Sequence, residues 1–115
     1  AEELPLVGLD ATLERAVVEM TSRRFGVTGV LDGAGALAGV LTDGDLRRAL
    51  QRGMALGAPV VEAMTRTPLS AAPETLAADL LGLMNEKRIT SLFVLEGGRP
   101  VGILHLHDLL RAGVL

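Results

Sequence analysis

The chain is one unit written twice, and this constrains its fold more than any other feature. Thr12-Leu13 is answered by Thr75-Leu76, Gly39-Val40-Leu41 by Gly102-Ile103-Leu104, Asp45-Leu46 by Asp108-Leu109, and Arg48-Ala49 by Arg111-Ala112, each pair 63 positions apart. Such a repeat signals a duplicated structural unit. Each copy opens on a short apolar stretch (Leu4 to Val7, Pro68 to Ala71). A helix follows, expected over 12–24 and 75–87, with apolar residues at helical spacing: Leu13, Ala16, Val17 and Met20, then Leu76, Leu80, Leu83 and Met84. Two apolar runs then flank a glycine turn: Gly29-Val30-Leu31 and Leu37 to Leu41 around Gly33-Ala34-Gly35, Leu92 to Leu95 and Val101 to Leu104 around Gly97-Gly98. Both read as β-hairpins. A second helix closes each copy, at about 43–52 and 106–112. The fold class is therefore α+β, with β-α-β-β-α twice. The copies divide into residues 1–53 and 54–115, Gly53 to Pro59 forming a small-residue linker and Val60 to Met64 a helical turn. One such half buries too little to be comfortable alone. The expected solution packs the two apolar sheet faces about a pseudo-twofold axis, with two equivalent clefts where a ligand would bind.

Composition narrows the function. Eleven basic and 14 acidic residues give a net charge of −3, and no Lys/Arg run exceeds two, so no nucleic-acid footprint is present. Phe25 and Phe93 are the only aromatics, which weakens any nucleic-acid reading that depends on base stacking and requires an aliphatic core. Cysteine is absent, excluding disulfides and thiol chemistry and fitting a cytoplasmic setting. No apolar run is long enough for a membrane span. The chain opens Ala-Glu-Glu without an initiator Met, which fits a piece of a longer protein.

The chemistry concentrates where the hairpin meets the second helix, at Gly39-Val40-Leu41-Thr42-Asp43-Gly44-Asp45-Leu46-Arg47-Arg48. Thr42 followed three residues later by Asp45 is a capping pattern. A helix N-terminus with free amides also suits a phosphate, and a carboxylate suits sugar hydroxyls. Gly39 and Gly44 would let a ligand approach the backbone. Residue chemistry alone leaves cap and ligand site both open. In the second copy His105 stands where Thr42 stood, His107 answers to Gly44, and Asp108 is kept. Two histidines at i and i+2 at a strand end could face one metal, but only Asp108 offers a third ligand nearby. Polar lining of the second cleft, donating to an acidic ligand, or an exposed helix-capping pair are the other readings. Arg47, Arg48 and Arg111 fall near any anion at these turns, or form a solvated face, and Arg99 is similarly placed beside the second hairpin turn. Thr28, Thr90 and Ser91 lie where the middle strands begin, lining the clefts or satisfying strand ends.

The duplicated unit resembles a tandem pair of cystathionine-β-synthase (CBS) domains, a Bateman module, over essentially the whole chain. Three features carry the resemblance: the Gly-hydrophobic-x-Thr-x-x-Asp turn at Gly39, Thr42 and Asp45; the Met64-Thr65-x-x-Pro68 lead into the second copy; and the Thr-Leu start of each long helix. The resemblance implies that Thr42 and Asp45 receive the phosphate and ribose of an adenine nucleotide or related ligand. Asp43, Gly44, Arg48 and Thr28 are its expected neighbours. At the second turn only Asp108 matches the family pattern. His105 departs from it and puts ordinary nucleotide binding there in doubt; with His107 it would line that site instead. The strings Thr42-Asp43-Gly44-Asp45-Leu46-Arg47-Arg48 and His105-Leu106-His107-Asp108-Leu109-Leu110-Arg111-Ala112-Gly113 are further similar to the C-terminal CBS pair of bacterial D-arabinose 5-phosphate isomerases. In those proteins an upstream sugar-isomerase (SIS) domain makes arabinose 5-phosphate for 3-deoxy-D-manno-octulosonate (Kdo) and lipopolysaccharide synthesis.

No nucleophile–base pair or metal-ligand set stands out in the sequence, so no catalytic residue, metal or cofactor is assigned to this segment. The resemblance implies a cytoplasmic regulatory module that biases an attached SIS isomerase by binding a nucleotide or nucleotide-sugar, with the activated sugar CMP-Kdo as the feedback ligand suggested by pathway logic. It also implies homodimers formed through the CBS pairs. Two alternatives stand beside it: a structural dimerisation module without a ligand, and an adenylate sensor on another enzyme or transporter.

Overall fold

The computed structural model describes residues 4–23, 26–66, 68 and 70–111. Phe25, the last expected residue of the first helix, the Leu69 position of the second opening strand, and the terminal Ala112-Gly113 lie outside them. The chain forms two compact units, Ala1–Pro68 and Leu69–Leu115. Each holds a three-stranded mixed sheet and two α-helices, which gives the expected α+β class.

In the first unit β1 (Leu6–Gly8) runs parallel to β2 (Val27–Leu31), and β2 pairs antiparallel with β3 (Leu37–Thr42). A parallel pair needs a crossover, and α1 (Leu13–Arg23) supplies it. The hairpin between β2 and β3 turns on Gly35, at φ +86°, and on Asp32, whose carboxylate accepts from the amides of Ala34 and Ala36. Helix α2 (Asp43–Gln51) starts directly on β3. The apolar spacing of α1 delivers Leu13, Ala16 and Met20 to a core with Val7, Val30, Leu41, Ala49 and Val60.

The segment after α2 is more than a linker. The amides of Leu13 and Glu14, in the first turn of α1, donate to the carbonyls of Ala58 and Leu56, and Val60 N donates to Ala11 O. A short 3₁₀ helix, Val60–Glu62, then places the fully buried Val60 in the core. Thr65 pairs with Val40 of β3 through both backbone groups, at 2.8 and 3.0 Å. Unsatisfied helix-end amides and one core position thus tie residues 54–66 to the first unit. The division in packing falls at Pro68, whereas the duplication in sequence divides at residue 53.

The second unit repeats the plan with β4 (Ser70–Ala71), α3 (Ala77–Lys87), β5 (Ser91–Glu96), β6 (Arg99–His105) and α4 (Leu106–Arg111). Strand β4 is parallel to β5, and β5 antiparallel to β6 across Gly97 and Gly98, both at positive φ. Among the described residues its core holds Ala71, Leu80, Met84 and Leu92, with Phe93 also buried. Leu76, read as part of the helix's apolar face, is instead its N-cap and 68 % exposed, because α3 starts later than its counterpart. Among the described residues no helix is long and apolar enough to cross a membrane.

Candidate functional site

The turn from β3 into α2 holds a closed polar network centred on Asp45. Thr42 is the N-cap, in extended conformation. Its hydroxyl accepts from Asp45 N at 3.1 Å, and Asp45 Oδ2 accepts from Thr42 N at 2.9 Å. This is the reciprocal cap that the spacing predicts. The Thr42 hydroxyl also donates to Oδ2, at 3.0 Å. The other oxygen, Oδ1, accepts from Arg48 Nη2 at 2.8 Å and from Thr65 Oγ1 at 3.0 Å. The Asp45 side chain is only 7 % exposed, while its Arg48 partner is 58 % exposed. A buried carboxylate must have its lone pairs engaged, and here four donors do so. Among the described residues no buried side-chain nitrogen or oxygen lacks a partner.

The two glycines of the turn accommodate protein atoms. A Cβ on Gly39 would lie 2.6 Å from the carbonyl oxygen of Thr65 and 2.9 Å from Met64 Sδ, so Gly39 makes room for the segment bridged to β3. A Cβ on Gly44 would lie 3.2 Å from Arg48 Nη1, so the Arg48 guanidinium passes over the first turn of α2. Asp43 is exposed there, its amide donating to Gly26 O at 3.3 Å. Thr28 is placed differently from the rest: it is fully buried, and its hydroxyl donates to Ala16 O at 2.9 Å, tying β2 to α1. Thr65 was legible only as part of the Met64-Thr65-x-x-Pro68 string, which gave no hint of its contact with Asp45.

The second turn repeats the aspartate arm of the cap. Asp108 Oδ2 accepts from His105 N at 3.1 Å, as Asp45 does from Thr42. His105 Nδ1 accepts from His107 N at 3.1 Å, so the imidazole takes the amide two residues on, whereas the Thr42 hydroxyl takes that of Asp45 three residues on. The two imidazoles stack with centroids 4.8 Å apart and planes 14° from parallel. Among the described residues no group of three His, Cys, Asp or Glu side chains converges on a metal position. Arg48 joins the first turn, and at the second the Thr90 carbonyl accepts from Leu106 N.

Comparison with known proteins fits this geometry into a family. The CBS domain profile matches residues 1–52 and again 60–115. The arabinose 5-phosphate isomerase KdsD of Pseudomonas aeruginosa is 47 % identical over 99 % of this chain, which covers 36 % of that protein. The chain spans about a third of the length of the curated relatives it matches. A solved CBS-domain containing protein from Agrobacterium tumefaciens superposes with TM-score 0.85 at 26 % identity, over 96 % of this chain and 90 % of that one. A CBS domain protein from Pyrobaculum aerophilum, solved in complex with AMP, shares the fold at TM-score 0.84 and 18 % identity, over 94 % of this chain and 84 % of its own.

Proposed function

The chain belongs to the CBS-domain family as a tandem pair, and from that premise we propose that it is the regulatory part of a sugar-phosphate isomerase, binding a nucleotide or nucleotide-sugar at its strand–helix turns. The observation that carries this reading is the 47 % identity to an arabinose 5-phosphate isomerase along 99 % of the chain. On this reading Thr42 and Asp45 receive phosphate and sugar hydroxyls, with Asp43, Gly44 and Arg48 beside them. His105, His107 and Asp108 make the second turn selective for a different, acidic group. The isomerase chemistry belongs to an attached SIS domain, in the cytoplasm, and association of two copies through the CBS pairs belongs to the same reading. A ligand biases the attached enzyme only by binding two arrangements of the module differently.

CMP-Kdo, the activated end product of the isomerase's pathway, is the proposed feedback ligand, since it joins a nucleotide to an acidic sugar and offers each turn a partner. The second reading, an adenylate sensor, is favoured by the AMP complex of a protein with the same fold. Thermal shift against AMP, ATP, CMP, CMP-Kdo and arabinose 5-phosphate separates them. An extrinsic dye is required, because the chain has no Trp or Tyr. A ligand at 100 times its Kd stabilises by about 2.7 kcal/mol. The expected result is a shift with CMP-Kdo that Thr42→Ala abolishes. A shift with adenylates alone supports the second reading, and no shift with any of them, beside a stable dimer, overturns both in favour of a purely structural module.

A further inference from the structure

Asp45 as it stands has no acceptor position left for a ligand. A carboxylate offers about four lone-pair sites, and all are engaged. The two donors on Oδ2 come from Thr42 and form the helix cap. The two on Oδ1 come from elsewhere: Arg48, with a long and mostly exposed side chain, and Thr65, twenty residues away in sequence. Thr65 is exposed and sits on the segment that leads out of the first unit, paired to Val40 through both backbone groups with Gly39 packed against its carbonyl.

We infer that Thr65 is a positioning residue that latches Asp45 Oδ1, and that a ligand hydroxyl pair takes Oδ1 only by releasing Thr65. Occupancy of the turn and the hold on residues 60–66 then compete for one atom. By linkage, the factor by which a ligand loosens that segment equals the factor by which loosening it improves ligand affinity. The competition rests on the proposal that Asp45 receives ligand hydroxyls; the latch itself does not.

The test uses the whole chain with Thr65→Val, which keeps the shape and removes the donor, Thr65→Ser, which restores it, and Asp45→Asn. Without ligand, amide exchange at Val40 and Thr65 should quicken roughly tenfold in T65V and D45N, stay near the starting rate in T65S, and not change between β1 and β2. Unchanged exchange in T65V overturns the latch. With AMP and CMP as probes, T65V should bind several-fold more tightly and T65S should bind as the unaltered chain does. Equal or weaker binding by T65V overturns the competition. Should the unaltered chain bind neither probe nor CMP-Kdo, the ligand reading of Asp45 falls, and the competition with it, while the exchange measurement still decides the latch.

Discussion

At residues 42 and 105 the backbone amide donates to an aspartate three residues on, but the Thr42 hydroxyl accepts from that aspartate's own amide, whereas the His105 imidazole accepts from the amide of His107. This part of the site was legible in the sequence, because a cap is local and its spacing is fixed by the helix. The Thr65 arm was not, because a twenty-residue contact leaves no periodic trace. The same limit applied to the glycines, read as approach points for a ligand but facing protein atoms. Their different neighbours give opposite expectations. Gly39→Ala drives a Cβ against the backbone oxygen of Thr65, which cannot move without breaking its pairing with Val40. It should cost about 1–3 kcal/mol. Gly44→Ala meets only the end of the flexible Arg48 side chain and gains helix propensity, so stability should be unchanged or up to about 1 kcal/mol higher. Urea denaturation followed by far-UV circular dichroism distinguishes them, and equal losses would refute the assignment of Gly39 to the Thr65 contact.

The first helix of each copy shows how far one pattern can diverge. Helix α1 is well finished at its start: Thr12 Oγ1 accepts from Arg15 N, and residues 56 and 58 receive the amides of Glu14 and Leu13. In α3 the equivalent Thr75 hydroxyl is turned back to accept from Ala72 N, and the N-cap is Leu76, with no side-chain bond to offer. Its other end closes on Arg88 in the left-handed region, φ 57°, where glycine is the unstrained choice. The Thr-Leu start looked identical in sequence; which way the threonine turns depends on the loop before it, and spacing does not encode that. Two substitutions should therefore stabilise. Leu76→Asp supplies a cap at an exposed position and should add about 1 kcal/mol. Arg88→Gly relieves the strained conformation and should add up to about 1 kcal/mol. Thermal melts of the single and double variants check both; additive gains are expected, since the sites lie at opposite ends of the helix.

At the scale of the molecule the two units share a plan but differ in how their crossover helices begin. The duplication, both hairpins and all four helices could be read from the repeat and the apolar spacing. What the sequence did not disclose is that residues 54–66, nominally the start of the second copy, complete the first unit by covering the α1 amides and filling its core with Val60. The first unit thereby gains Val60 in its buried cluster and a capped crossover helix. In the second, α3 has an N-cap with no side-chain bond and a C-terminal residue in the left-handed region. Domains this small are marginal even when well packed, so the finish of the crossover helix should decide which unit stands alone. A peptide of residues 1–68 is expected to melt cooperatively by circular dichroism, and one of residues 69–115 to show only gradual loss of signal. Extending the second peptide back to residue 54 should not rescue it, because the partners of that segment are the α1 amides and β3. Cooperative melting of 54–115, with none in 1–68, would show that the segment works for the second copy and would return the boundary in packing to residue 53.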